Sequence, residues 1–347
     1  MRRPPHGRPR AGRSLNGGAP SGRSFAPGGA LAIALAAVCF GSLSSVSRLA
    51  FDQGVDPLGF SAWRAAIGAA AVTIVVIVGL ARARSSASSA ESGSGVAQGV
   101  WSGRVPPRQL ANLAIATVAN LSLNLAIFTA FSRLSVTLAL LAFYTYPAMV
   151  AAASALLGIE RFDRVRIAAL AGSLAGMAVV VLGSFDANGV RLDALGIGLA
   201  VFAAICQTAY ILVGRAGFSA VPPLRATAAV LGGSTIGYAV IAAVSGSAGA
   251  VVSAIALPGV WPLLLLGGIA GAALPQILFL LGVRSLGGTR TGIVMLLEPV
   301  TGVVLAALIL GEPILPIQLV GGALVLGSAL LLQVAGRTVP EPAAPAV

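Results

Sequence analysis

Glu298 is a carboxylate set deep inside an apolar stretch that runs from Thr291 to Glu312, with Pro299 directly after it. About 20 apolar residues cross a hydrocarbon core of ~30 Å, so this acid falls at membrane depth, where an ionised carboxylate costs at least about 2.5–3.5 kcal/mol. A carboxylate there must face protein or water. It can exchange a proton, pair with a bound amine, or satisfy backbone that Pro299 frees, because a proline nitrogen cannot donate. Arg64 stands in a second apolar run and can meet a bound carboxylate, snorkel, or pair with Asp52 or Asp56. Thr117, Asn120 and Asn124 follow one helix face, Gln207 and Tyr210 share another, and Gln276 follows Pro275. Amides in hydrocarbon need partners, so these faces are expected to point inward, lining a path or knitting helices. Tyr144 and Tyr146 fall on different faces of a continuous helix, so at most one is expected to face a path.

The elements that carry these residues are apolar runs of spanning length. Ten can be drawn: 29–50, 58–80, 109–131, 136–158, 165–184, 195–214, 226–245, 260–282, 291–311 and 316–335. The fourth and the ninth repeat one another. Tyr146-Pro147 answers to Glu298-Pro299, the interval from Pro147 to Glu160 equals that from Pro299 to Glu312, and Leu134 and Thr137 stand opposite Leu286 and Thr289. Such internal repetition in so apolar a chain points to a transporter. Five runs per half is an odd number, so the second half enters the membrane in the opposite sense. The fold predicted is an all-α integral membrane protein of ten transmembrane helices, built as two inverted five-helix repeats over 28–184 and 194–336. A flexible Ser/Gly-rich loop, 84–108, interrupts the first repeat. Residues 1–27 form a disordered cytoplasmic tail and 337–347 a C-terminal tail.

Composition agrees. The 347 residues are 57% hydrophobic and 9% charged, with a mean hydropathy of +0.95, outside the range of soluble globular chains. Aromatic residues are only 5% while Gly numbers 44, which favours closely packed helices over a barrel with aromatic girdles. The net charge of +12 does not imply nucleic acid, since the arginines lie in short loops and tails. With a cytoplasmic N-terminus, 18 of the 22 basic residues lie inside and Arg48, Arg133 and Arg191 near the outer face, which places both termini in the cytoplasm of a bacterial inner membrane. Cys39 and Cys206 read as small apolar residues, with no metal site, no cofactor and no disulfide framework. The motifs of intramembrane hydrolases and metalloproteases are missing, so no enzyme is expected.

Phe40-Gly41, the short loop to Pro57 with Arg64 soon after, and the two proline-to-glutamate repeats ending in LLGIE and LILGE resemble the EamA-like branch of the drug/metabolite transporter superfamily. The resemblance covers about 29–336. It implies a cavity between the two halves, lined by helices one, three, four, six, eight and nine. It also implies secondary transport of small metabolites such as amino acids, outward, by alternating access, with lipid-linked sugar flipping and a non-transporting scaffold as alternatives. The partners expected are a small-molecule substrate and the lipid bilayer, with oligomeric state open. Candidates for substrate binding or coupling are Glu298, Asn124, Gln207, Tyr210, Gln276, Tyr146 and Arg64. Glu160, Glu312, Pro147 and Pro299 are expected to be structural, the two glutamates capping a neighbouring helix or binding an arginine.

Overall fold

The structure is a computed structural model describing residues 27–89, 105–158, 164–183, 193–217, 220–257, 259–286, 291 and 294–335. Glu160 lies outside the described residues, as do most of the loop 84–108 and nearly all of both tails. Among the described residues there are helices and no strands. Seven helices are long and apolar enough to cross a membrane, and three shorter apolar helices accompany them. This is a multi-pass membrane protein. Its exposed side chains fit that solvent, since Ile74, Ile77, Val118, Ile236 and Leu308 face outward while Phe60, Phe128 and Tyr238 are fully buried.

The first repeat comprises α1 (Pro27–Asp52), α2 (Pro57–Ser89), α3 (Pro107–Arg133), α4 (Val136–Phe143), α5 (Tyr146–Leu156) and α6 (Arg164–Gly183). The second comprises α7 (Ala194–Ala216), α8 (Pro223–Val244), α9 (Ala248–Ala256), α10 (Val260–Leu265), a π-helical segment (Leu266–Ala273), α11 (Leu274–Leu286), α12 (Leu297–Leu310) and α13 (Pro316–Ala335). The expected span 136–158 is broken, because α4 ends at Phe143 and Tyr144 and Thr145 form a turn before α5. Pro147 explains the break: its nitrogen cannot bond the Phe143 carbonyl, and its ring crowds the preceding turn. A turn at Leu296 interrupts helix ahead of Pro299 in the same register. The short helix α9 falls where no span was expected. Two indoles hold it: Trp63 donates from Nε1 to the Val251 carbonyl at 2.9 Å, and Trp261 to that of Ile255 at 3.2 Å. Trp63 is therefore bonded into the protein.

Helix packing follows the small residues. α1 lies against α11 and α12, α3 against α7, α2 against α8, and α6 against α13. Gly176 of α6 approaches α13 so closely that a Cβ there would sit 2.7 Å from the Gly321 carbonyl oxygen. Gly267 and Gly271, four residues apart, allow similar approaches, since a Cβ on Gly267 would meet Phe60 and one on Gly271 would meet Leu43. Two groups of helices result, α1 with α10–α12 and α3 with α4, α5 and α7, flanked by the α2–α8 and α6–α13 pairs. The helix bearing Pro299 ends where α4, the first half of the broken span, begins, since Glu312, just past α12, bonds the first amides of α4.

Candidate functional site

A cavity of about 570 Å³ lies between the two groups. It is lined by all seven residues expected to bind or couple: Glu298, Asn124, Gln207, Tyr210, Gln276, Tyr146 and Arg64. The lining repeats itself across the halves. Phe40, Leu43 and Ser44 of α1 and Gln207, Tyr210 and Ile211 of α7 keep the same i, i+3, i+4 spacing, and Asn124 corresponds to Gln276 at the separation that relates Pro147 to Pro299. The frame is nearly symmetric while the chemistry on it is not. The cation Arg64 and the acid Glu298 have apolar or phenolic counterparts, Val230 and Tyr146.

Glu298 is half-buried and faces this space. The Tyr144 hydroxyl lies beside its carboxylate, on the same stretch of cavity wall. Tyr146 lies beside it, its ring centroid 5.6 Å from that of Tyr144. Both tyrosines therefore line the cavity, against the expectation that only one would, because the turn at Tyr144 and Thr145 removes the helical phase difference between them. Thr145 adapts to the turn through its amide, 3.4 Å from the Ala142 carbonyl, and its hydroxyl, 2.8 Å from the same oxygen. Close backbone contact underlies the acid as well. A Cβ on Gly41 of α1 would fall 2.5 Å from the Glu298 carbonyl oxygen, so only glycine lets these helices cross there.

Arg64 is buried and bonded on both sides. Its Nη1 donates to Asn124 Oδ1 and its Nη2 to the Gly271 carbonyl, each at 2.9 Å. Gly271 sits four residues before Pro275, which has no amide hydrogen to offer it, and within the π-helical segment. The guanidinium thus bonds a carbonyl in the stretch where the helical ladder shifts to π-helical pairing ahead of a proline. The expected pairing with Asp52 or Asp56 does not form. Asp52 lies 3.8 Å from Arg48, and Asp56 accepts from the amides of Leu58 and Gly59 at the start of α2. Asn124 also donates to the Asn120 carbonyl at 2.8 Å, and Asn120 joins it on the cavity wall, bonding Ser234 at 3.2 Å. Thr117, expected on the same face, instead donates to the Leu113 carbonyl and packs over Gly233.

The lining extends beyond the helices that the resemblance implied, taking Arg64 from α2 and Thr227, Val230 and Leu231 from α8. Towards one end the lining includes Phe128 and Phe131, with edge-to-face aromatic pairs behind them, Phe60 with Phe128 at 5.0 Å and Phe51 with Phe60 at 5.8 Å. At that end Arg48 Nη1 donates to the Phe131 carbonyl at 2.5 Å, and Glu312 bonds α4. At the other end the lining runs to Thr227 and Thr291. Ser44, Phe40, Phe128, Tyr144 and Thr291 belong to this wall and were not singled out as binding residues. The register of Gln207 and Tyr210 was the signal that would have found the α1 pair.

The family model for EamA-like transporters matches the chain twice, over residues 27–182 and 194–334. The chain belongs to the EamA-like transporter family. Members of this family are membrane transporters of the drug/metabolite type, and this EamA-like chain carries the repeated half that defines them. A solved crystal structure shares the fold at a TM-score of 0.55 and 20% identity, over 88% of this chain and 98% of its own. No curated protein matches the chain.

Proposed function

We propose that this EamA-like protein is a secondary transporter that exports a small polar or amphipathic metabolite, such as an amino acid, by alternating access. The observation that carries the reading is the cavity of about 570 Å³ in which Arg64, Asn124, Gln276, Gln207, Tyr210, Tyr146 and Glu298 converge. That volume suits one small molecule, and a few polar groups among apolar walls are what orient one. Two repeats, 28–184 and 194–336, each of five spans and opposite in sense, supply two helix groups that rock about a shared site. The antiparallel meeting of α12 with α4 at Glu312 supports the inversion. The arginine distribution supports cytoplasmic termini in a bacterial inner membrane, with the aromatic end of the cavity outermost.

Glu298 and Tyr144 form the polar centre, where a solute amine or a proton would be exchanged; Arg64 faces the same space. Comparative metabolomics of the medium from cells overproducing the parent chain, beside cells making Glu298→Gln, tests this. A metabolite that accumulates outside only with the parent names the cargo. Unchanged media, with a lipid-linked sugar redistributed across the membrane, would replace export by flipping.

A further inference from the structure

We infer that Arg64 is the receptor for an anionic group on the transported solute, and that filling it unties the outer end of the cavity. This rests on the transporter reading above and adds to it the charge of the cargo. The guanidinium is only 7% exposed, yet both of its hydrogen bonds go to neutral acceptors. Its Nε is buried without a partner. Among the described residues no carboxylate lies within ion-pair distance of it, and Glu298, in the same cavity, lies beside Tyr144 instead. A buried cation without a counter-charge is costly, and a carboxylate would add the missing charge and a bidentate geometry to bonds that are charged on the donor side alone. The Phe128 ring sits 5.4 Å from the guanidinium carbon, an apolar wall that strengthens such an ion pair.

The two present acceptors belong to different helix groups, Asn124 to α3 and Gly271 to the π-helical segment. Arg64 on α2 therefore ties the groups together, at the end where Arg48 and Glu312 tie them as well. A bidentate anion draws the fork away from one or both acceptors and so removes a tie. Asn124 stays held in place meanwhile, because its Nδ2 still donates to Asn120 while its Oδ1 is released. An anionic solute thus binds better to the untied state, which is the differential affinity that an alternating cycle needs.

The test uses full-length protein in cells, with Cys39→Ala, Cys206→Ala and a Ser44→Cys reporter on the cavity wall, labelled from outside by a membrane-impermeant thiol reagent. A mixture of L-amino acids should raise the labelling rate about tenfold, and a mixture of their amides should not. Arg64→Gln should raise it about tenfold without any solute. Asn124→Asp, which hands Arg64 a permanent carboxylate, should abolish the response to acids, and its opposite sign excludes simple misfolding. Equal responses to acids and amides, no response to either, or slow labelling in Arg64→Gln would overturn the inference. Efflux measured in the same cells separates the two readings. Efflux without acid-dependent labelling removes Arg64 as receptor and leaves the transporter; acid-dependent labelling without efflux does the reverse.

Discussion

The carboxylate of Glu312 accepts the Val136 amide at 2.9 Å and the Thr137 amide at 3.4 Å, so the second repeat caps the first turn of a helix in the other. A helix start leaves its first amides without intrahelical partners. Ser135 holds the cap position of α4, yet its hydroxyl makes no capping bond and has no partner among the described residues. Glu312 does the task from across the bundle, and its negative charge also suits the positive end of the helix dipole.

Glu312→Ala should therefore lower stability by about 1–2 kcal/mol, the usual cost of a lost cap, with Glu312→Gln intermediate. Ser135→Ala should change little. Unfolding midpoints of the purified protein in detergent check the order; equal effects of Glu312→Ala and Ser135→Ala would refute the cap.

Glu298→Gln should reduce efflux of the cargo about tenfold while expression and membrane insertion stay at the parent level. The amide keeps the shape and a hydrogen-bonding group but can neither ionise nor take up a proton. Tyr144→Phe, which removes the hydroxyl beside the carboxylate, should give a smaller loss. Initial efflux rates, normalised to membrane-inserted protein, are the measurement, and parent-like rates in Glu298→Gln would make the acid structural.

Gly41→Ala should destabilise the protein by about 1–3 kcal/mol, the range for overpacking a tight contact. The added methyl would lie 2.5 Å from the Glu298 carbonyl oxygen and 2.8 Å from the Thr301 Cβ, forcing α1 off α12. Gly198→Ala is the control, since nothing lies within 4 Å of its Cβ position, and helix propensity makes it neutral to stabilising. Thermal unfolding of both, beside the parent, decides.

Arg133 and Asp193 meet at 2.8 Å where α3 ends and α7 begins. The Arg133 hydrogen bond, and then the Leu195 amide that Asp193 caps, hold this carboxyl below its ordinary value. A lowered folded-state pKa contributes stability above the unfolded value of about 3.9, and that contribution is lost as pH falls through the folded one. Acid weakening of this contact should therefore appear only below about pH 4. Comparing the unfolding midpoints of the parent and Asp193→Asn across pH 2–6 checks it: the difference should be constant above about pH 4 and shrink below it.

Much was legible in the order of residues. Apolar length marked a multi-pass membrane protein, the spacing of Pro147 and Pro299 exposed the repeat, and amides inside apolar runs marked Asn124, Gln207 and Gln276 as facing inward, to a path or to a helix seam. These are one-dimensional signals, because a bilayer imposes its thickness on every span and its penalty on every polar group in turn. Partner choice and helix phase are three-dimensional. Only the folded chain pairs Arg64 with Gly271, across 207 residues, and breaks the fourth span so that Tyr144 and Tyr146 share the cavity. Both occur beside prolines, which interrupt the helical ladder. The sequence marks where those prolines lie, and packing alone selects which side chain comes to bond the carbonyls ahead of them.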